Sequence, residues 1–204
     1  WDVKTYILDS DGNCPASTVC TRWIEGDCTE FDSVHQFAQH VDMLTFEIEN
    51  VNVDALQKLK QEGKRIHPDP DVLAMIQDKG KQKKFFQAHG IPSPDFTLVA
   101  GTEAILGRLE DGQLSIPFVQ KARRAGYDGR GVVVVRTKDD LPKLLHAASV
   151  VEHAVDIEKE LAVIVARNGT GQMAAFPVVE MVLDPDANLV QMLFSPARIE
   201  DDLH

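Results

Sequence analysis

The stretch KARRAGYDGRGVVVV (121–135) sets a lysine, three arginines and three glycines directly ahead of a run of four valines. Glycines at close spacing let successive backbone N–H groups point into one concavity, where they hold phosphate oxygens. Lys121, at the end of the entering strand, adds a point charge, and Arg130 adds a planar fork. A plain β-hairpin explains part of the pattern, because Asp128-Gly129 supplies the positive φ angles of a tight turn. It leaves Gly126, Gly129 and Gly131 together unexplained. On these residues alone both readings stand.

Two carboxylates downstream bear on the choice. Glu152 sits in the otherwise apolar SVVEHAV, and Glu160 stands at the mouth of ELAVIV. One reading is a polar residue at each strand end. The other is an adenosine site between two layers. There the backbone of Glu152, His153, Ala154 and Val155 pairs with the adenine edge, and Glu160 accepts the ribose hydroxyls.

The elements that must position these groups follow from periodicity. VKTYIL (3–8) reads as a strand, and residues 30–41 place Phe31, Val34, Phe37, Ala38 and Val41 on one helical face. DMLTFEIEN reads as a strand with Glu47 and Glu49 near its C-terminal end. VDALQKLKQEG is an amphipathic helix closed by Gly63, and RIHP a further strand. Strand–helix–strand–helix–strand at this spacing predicts a parallel sheet with right-handed crossovers. It resembles a doubly wound domain without its first βα unit.

From residue 71 the composition changes. DVLAMIQDKGKQKKFFQAHG predicts one or two helical segments ending at Gly90, IPSPDFTLV an extended connection, and 102–110 a helix with Thr102 as N-cap. Beyond 115 the pattern is mainly β: SIPFVQKA, GVVVVRT, SVVEHAV, KELAVIVAR, QMAAFPVVEMV and LVQMLFSPARI, with turn signals NGTG and DPDAN. A short helix at 139–147, capped by Asp139 or Asp140, interrupts them. The fold class is α/β plus α+β: a truncated Rossmann-like domain, then subdomains built on antiparallel sheet. The divisions fall at 1–75, 76–150 and 151–204.

Composition narrows the partners. Lys plus Arg number 21 against 32 Asp plus Glu, a formal charge of −11. Such a field repels phosphate backbones, so nucleic acid is not expected and any phosphate must be held by a local cationic site. No apolar stretch is long enough to span a bilayer, and no membrane is expected. WDVKTYILDS shows no signal-peptide pattern, and the opening Trp1 reads as a processed or trimmed product. Cys14, Cys20 and Cys28 lack paired C-x-x-C spacing and read as reduced thiols, which points to the cytoplasm.

With Lys121, GYDGRG, Glu152 and Glu160 in this order, the chain resembles the ATP-grasp enzymes. The similarity is closest to the 5-(carboxyamino)imidazole ribonucleotide synthetases. TFEIENV, IQDKGKQKKF, GIPSPDF, FPVVEMV and FSPARI also sit where that family has its own versions. The resemblance implies a Rossmann-like domain followed by two ATP-grasp subdomains. It implies ATP and magnesium as cofactors, 5-aminoimidazole ribonucleotide and bicarbonate as substrates, carboxyphosphate as intermediate, and a homodimer.

Carried over by position, Lys121 holds ATP phosphates beneath a lid of Gly126 to Val132. Lys79, where most of the family has arginine, adds a weaker contact. Tyr127, Asp128 and Arg130 face the imidazole nucleotide and the bicarbonate-derived group. Glu49 is a substrate contact or a solvated strand end, and Glu180 lines the nucleotide pocket or is merely solvated. No metal ligand is assigned, since the family's magnesium carboxylates are expected beyond His204 and its glycine-rich first turn before Trp1. By this reading these 204 residues alone have little or no activity. Another ATP-grasp carboxylase or ligase, or a non-catalytic nucleotide-binding module, are the alternatives.

Overall fold

The computed structural model describes residues 2–124, 131–184 and 189–200. Strands β1 (Tyr6–Asp9) and β2 (Arg22–Glu25) pair in parallel. Helix α1 (Phe31–Phe37), β3 (Met43–Thr45), α2 (Val53–Gln61) and β4 (Arg65–His67) follow, and β3 and β4 are again parallel. Of the apolar face read at 31–41, Val34, Phe37 and Ala38 are buried while Phe31 lies exposed at the helix start. They pack with Leu44, Ala55, Leu56, Leu59, Ile66 and Leu73 in one cluster. Asn52 caps α2, its side-chain oxygen accepting from the Ala55 N–H at 2.9 Å, which frees Ala55, Leu56 and Leu59 to turn inward together.

Two features of this part differ from the periodicity. β2 was not anticipated, because RWIE has no run of alternating apolar residues to mark it. β3 ends at Thr45, so Glu47 and Glu49 lie beyond the strand. The Gln77 amide donates to the carbonyls of Glu49 (2.7 Å) and Val51 (2.8 Å), occupying acceptors that a longer strand would have used.

The helical run after 70 breaks into α3 (Pro70–Ile76) and α4 (Lys79–Ala88). Asp78 makes the break: its carboxylate accepts from the N–H groups of Gly80 (2.9 Å) and Lys81 (3.2 Å) and so starts a new helix. Next come β5 (Phe96–Val99), α5 (Thr102–Glu110), β6 (Phe118–Ala122), β7 (Val132–Val135) and β8 (Ser149–His153). These strands form one antiparallel sheet in the order β5-β8-β6-β7.

Gly101, not Thr102, is the cap of α5; the Thr102 hydroxyl instead donates to the Leu145 carbonyl at 3.1 Å. The helix expected at 139–147 is a 3₁₀ segment, Lys138–Lys143, because Pro142 has no N–H to continue it. Thr137 caps it, and Asp140 closes the capping box from inside.

The last part is antiparallel: β9 (Glu160–Ala162), β10 (Val165–Arg167), β11 (Met173–Ala175), β12 (Val179–Leu183) and β13 (Val190–Phe194). KELAVIVAR and QMAAFPVVEMV, each read as one strand, are both interrupted. After Phe176 donates to Ile164, Pro177 cannot extend the ladder, and the chain changes partner from β10–β11 to β13-β12-β9. Among the described residues no helix is long and apolar enough to cross a membrane.

Candidate functional site

The register of the four-stranded sheet sorts its side chains onto two faces. Phe118, Val135 and Val151 share one face with Gln120 and pack under Ile105 and Leu144. Gln120, although polar, is fully buried and satisfied: its amide donates to the Leu145 carbonyl and Ser149 Oγ and accepts from the Leu145 N–H. This face is the core.

The other face carries Lys121 and Glu152. Lys121 stands opposite Val150, and Glu152 opposite Val119, which makes the two diagonal neighbours on adjacent strands. Lys121 Nζ lies 2.8 Å from Glu152 Oε2. Around the pair the face is apolar, with Phe96 and Leu98 from β5 and Val132 and Val134 from β7. Val132 and Val134 remain exposed. An exposed apolar wall beside a cation suits a ligand with a flat base and a charged tail.

Glu152 has a second cation. Lys83, reaching in from α4, places Nζ 2.9 Å from the other oxygen, Oε1. Burial acts to raise the Glu152 pKa, but hydrogen bonds from Lys121 and then Lys83 outweigh it and hold the carboxyl below its ordinary value. It is ionised at neutral pH.

The stem of the glycine loop is bolted to α4. Arg123 donates from Nε (2.9 Å) and Nη2 (2.6 Å) to the two oxygens of Asp78. The Lys79 N–H donates to the Arg123 carbonyl at 2.9 Å. Gly80 leaves room for this contact, since a Cβ there would stand 2.6 Å from Arg123 Nε and force that side chain to shift. Lys79 thus heads a helix whose first turn is fastened to the loop stem. Burial pushes the Asp78 pKa up, yet Arg123 and the backbone donors of Lys81 and Gly80 keep it below the usual carboxylate range.

The remaining sequence-predicted residues fall as follows. Gly126, Tyr127, Asp128, Gly129 and Arg130 lie outside the described residues. Gly131 is described and has φ 77°, a conformation suited to glycine. Val132, expected in the loop, is the first residue of β7 and pairs with Lys121. His153 closes β8, its N–H donating to the Asp95 carbonyl, and the Ala154 N–H reaches the Pro117 carbonyl at 3.4 Å. Val155 is exposed just beyond the strand.

Glu160 opens β9 opposite Met181, while Glu180 is the neighbour of Met181 on β12. The two carboxylates therefore point to opposite faces of that sheet and are not brought together. Glu180 is buried and ion-paired rather than solvated. It accepts from Arg198 Nε (3.0 Å), Arg198 Nη2 (2.5 Å) and the Arg198 N–H (3.1 Å), with Lys159 Nζ at 3.4 Å. The Arg198 hydrogen bonds bring its pKa down to about 2.

Glu49 is exposed. The next residue, Asn50, lines a cleft of about 250 Å³ with Thr29, Asn52, Gln77 and Arg124. The cleft joins the loop after β3 to the stem of the glycine loop.

Sequence reasoning missed Lys83, Asp78, Arg123 and Arg198. Asp78 carried a signal, as an Asp before a polar run that starts a helix. Lys83 carried none, because KGKQKK offers four lysines and only packing shows which is enclosed.

Residues 1–77 match the ribonucleotide synthetase preATP-grasp domain family, and residues 84–204 match the ATP-grasp domain family. N5-carboxyaminoimidazole ribonucleotide synthase of Synechocystis sp. is 38% identical over 87% of this chain and 45% of its own length. The crystal structure of N5-carboxyaminoimidazole ribonucleotide synthetase from Thermotoga maritima superposes with a TM-score of 0.83 at 35% identity, over 98% of this chain and 51% of that one. N5-carboxyaminoimidazole synthase from Aspergillus clavatus, solved with ADP and 5-aminoimidazole ribonucleotide, gives 0.83 at 28% identity over 96% and 51%. The chain spans about half the length of these relatives.

Proposed function

The chain belongs to the ATP-grasp family, and from that premise we propose that it acts in an N5-carboxyaminoimidazole ribonucleotide synthetase. In this reading ATP phosphorylates bicarbonate. The resulting carboxyphosphate gives up its carboxyl group to the exocyclic amine of 5-aminoimidazole ribonucleotide, releasing ADP and phosphate. The relatives carrying that name, and the Aspergillus clavatus structure with ADP and 5-aminoimidazole ribonucleotide, support it.

The observation that carries the reading is the position of Lys121. It lies on the exposed, apolar-walled face of the four-stranded sheet, two residues ahead of the Asp78-anchored loop stem. Lys121 holds the phosphates, with Lys79 beside the stem as a second point charge. Gly126, Gly129 and Gly131 supply N–H donors that follow the transferring group. Tyr127, Asp128 and Arg130 face the imidazole nucleotide and the bicarbonate-derived group. The backbone from Glu152 through His153, Ala154 and Val155 meets the adenine, Glu160 the ribose, and Glu49 the substrate. Glu180, taken up by Arg198 and Lys159, is left out of this assignment.

Magnesium, bicarbonate, a homodimer and a cytoplasmic location belong to the same proposal. Among the described residues no group of three or more His, Cys, Asp or Glu side chains converges on a metal position. The division at 1–75, 76–150 and 151–204 is proposed too; two separate apolar clusters, one around Leu56 and one around Phe118, support its first boundary.

Calorimetry with ATP, and then with 5-aminoimidazole ribonucleotide, tests the reading. Saturable heat with each, and loss of the ATP signal in Lys121→Ala, are expected. No heat with either ligand sinks it.

A further inference from the structure

Glu152 is nearly enclosed, with 7% of its side chain exposed, yet it pairs with two lysines of very different freedom. Lys83 is 8% exposed and saturated. Its ammonium meets Glu152 Oε1, Ser93 Oγ and the Pro94 carbonyl, and lies 5.6 Å from the centre of the Phe96 ring. Three acceptors use all three of its donors. Lys121 is 35% exposed and, among the described residues, has Glu152 as its one partner. Among the described residues the charged groups facing Glu152 are Lys83 from α4 and Lys121 from β6, while β5 meets it with the Phe96 ring.

This asymmetry has a consequence for any anion that competes for Lys121. Withdrawing the sole counter-ion of a buried carboxylate is strongly unfavourable, because the charge left behind has lost both water and partner. Withdrawing one of two is not. We propose that Lys83 is a positioning residue that holds the Glu152 carboxylate by itself, so that Lys121 is free to leave it for the phosphates of an incoming nucleoside triphosphate. The three groups together carry one surplus positive charge, which the phosphate neutralises. The proposal rests on the ATP reading of the site and adds a residue to it that touches no ligand.

The test is ATP affinity by calorimetry for the wild type, Lys83→Met, Glu152→Gln and the double variant, at pH 8 and pH 5.5. Lys83→Met is expected to weaken ATP binding about tenfold or more at pH 8, since Lys121 becomes the sole partner of Glu152. The deficit is expected to be smaller at pH 5.5 than at pH 8, because lower pH favours the neutral carboxyl, which needs no counter-ion. Removing the charge in Lys83→Met/Glu152→Gln restores binding. Glu152→Gln alone, which keeps Lys83 and serves if Lys83→Met does not fold, binds ATP at least as tightly as the wild type. Undiminished binding by Lys83→Met overturns the proposal, as does a loss that persists in the double variant or weaker binding by Glu152→Gln. A wild type that binds no ATP overturns the ATP reading itself, a result distinct from all of these.

Discussion

Arg123 forks onto Asp78, its Nε 2.9 Å from Oδ1 and its Nη2 2.6 Å from Oδ2, and the contact fastens the glycine-loop stem to the first turn of α4. Asp78 is only 2% exposed and also caps that turn. Replacing it removes a cap and strands a guanidinium at once. Asp78→Ala is expected to lower stability by about 1–2 kcal/mol from the lost cap alone, with more from Arg123. Urea denaturation measures it, and an unchanged midpoint would contradict the clasp.

Gly80 gives a sharper check on the same contact. Alanine is ordinarily the better helix residue by about 1 kcal/mol. Here its Cβ would sit 2.6 Å from Arg123 Nε and 3.1 Å from Asp78 Oδ1. Gly80→Ala is therefore expected to destabilise wild type, and to cost clearly less once Arg123→Ala has removed the nearer of the two contacts. A double-mutant cycle reads the difference.

The Glu180–Arg198 pair makes a pH prediction. The folded pKa of Glu180, about 2, lies below its ordinary value of 4.5, chiefly through the Arg198 hydrogen bonds. A depressed carboxyl contributes stability that is complete above its unfolded pKa and is lost as pH falls through the folded one. The melting-temperature gap between wild type and Glu180→Gln should be full at pH 7, shrink from pH 4.5 downward and vanish near pH 2. A gap independent of pH would show that the carboxylate charge does not matter.

Val132 and Val134 stand exposed on the Lys121 face, whereas Phe118 is fully buried on the other. Val134→Glu should weaken ATP binding several-fold through an adverse charge while leaving the melting temperature within a few degrees. Phe118→Ala should cost about 3–5 kcal/mol of stability. Equal stability losses at both positions would mean that the two faces have been assigned wrongly.

Much of this was legible from the residues. The glycine spacing and Lys121 pointed to a phosphate loop or a plain hairpin, and the proposed function takes the first, because closely spaced glycines let backbone N–H groups converge. The alternating apolar positions marked β6 and β8, and the paired strand–helix units of the first part followed from periods of 2 and 3.6. Local patterns report local structure, and these elements are local.

What local patterns do not contain is which charges meet. Lys83 looks like its neighbours Lys81 and Lys84 until α4 lies against β5 and β8 and buries it. Glu180 looks like a solvated sheet residue until Arg198 arrives from 18 positions away. Glu160, read at the ribose, and Glu180, read as lining the nucleotide pocket or solvated, are sent to opposite faces of their sheet by strand register. The sequence by itself determined most of the helices and strands, since those depend on residue type and short spacing. The tertiary structure alone decided the ion pairing, because a charge in a desolvated site takes its value from whatever distant segment is packed beside it.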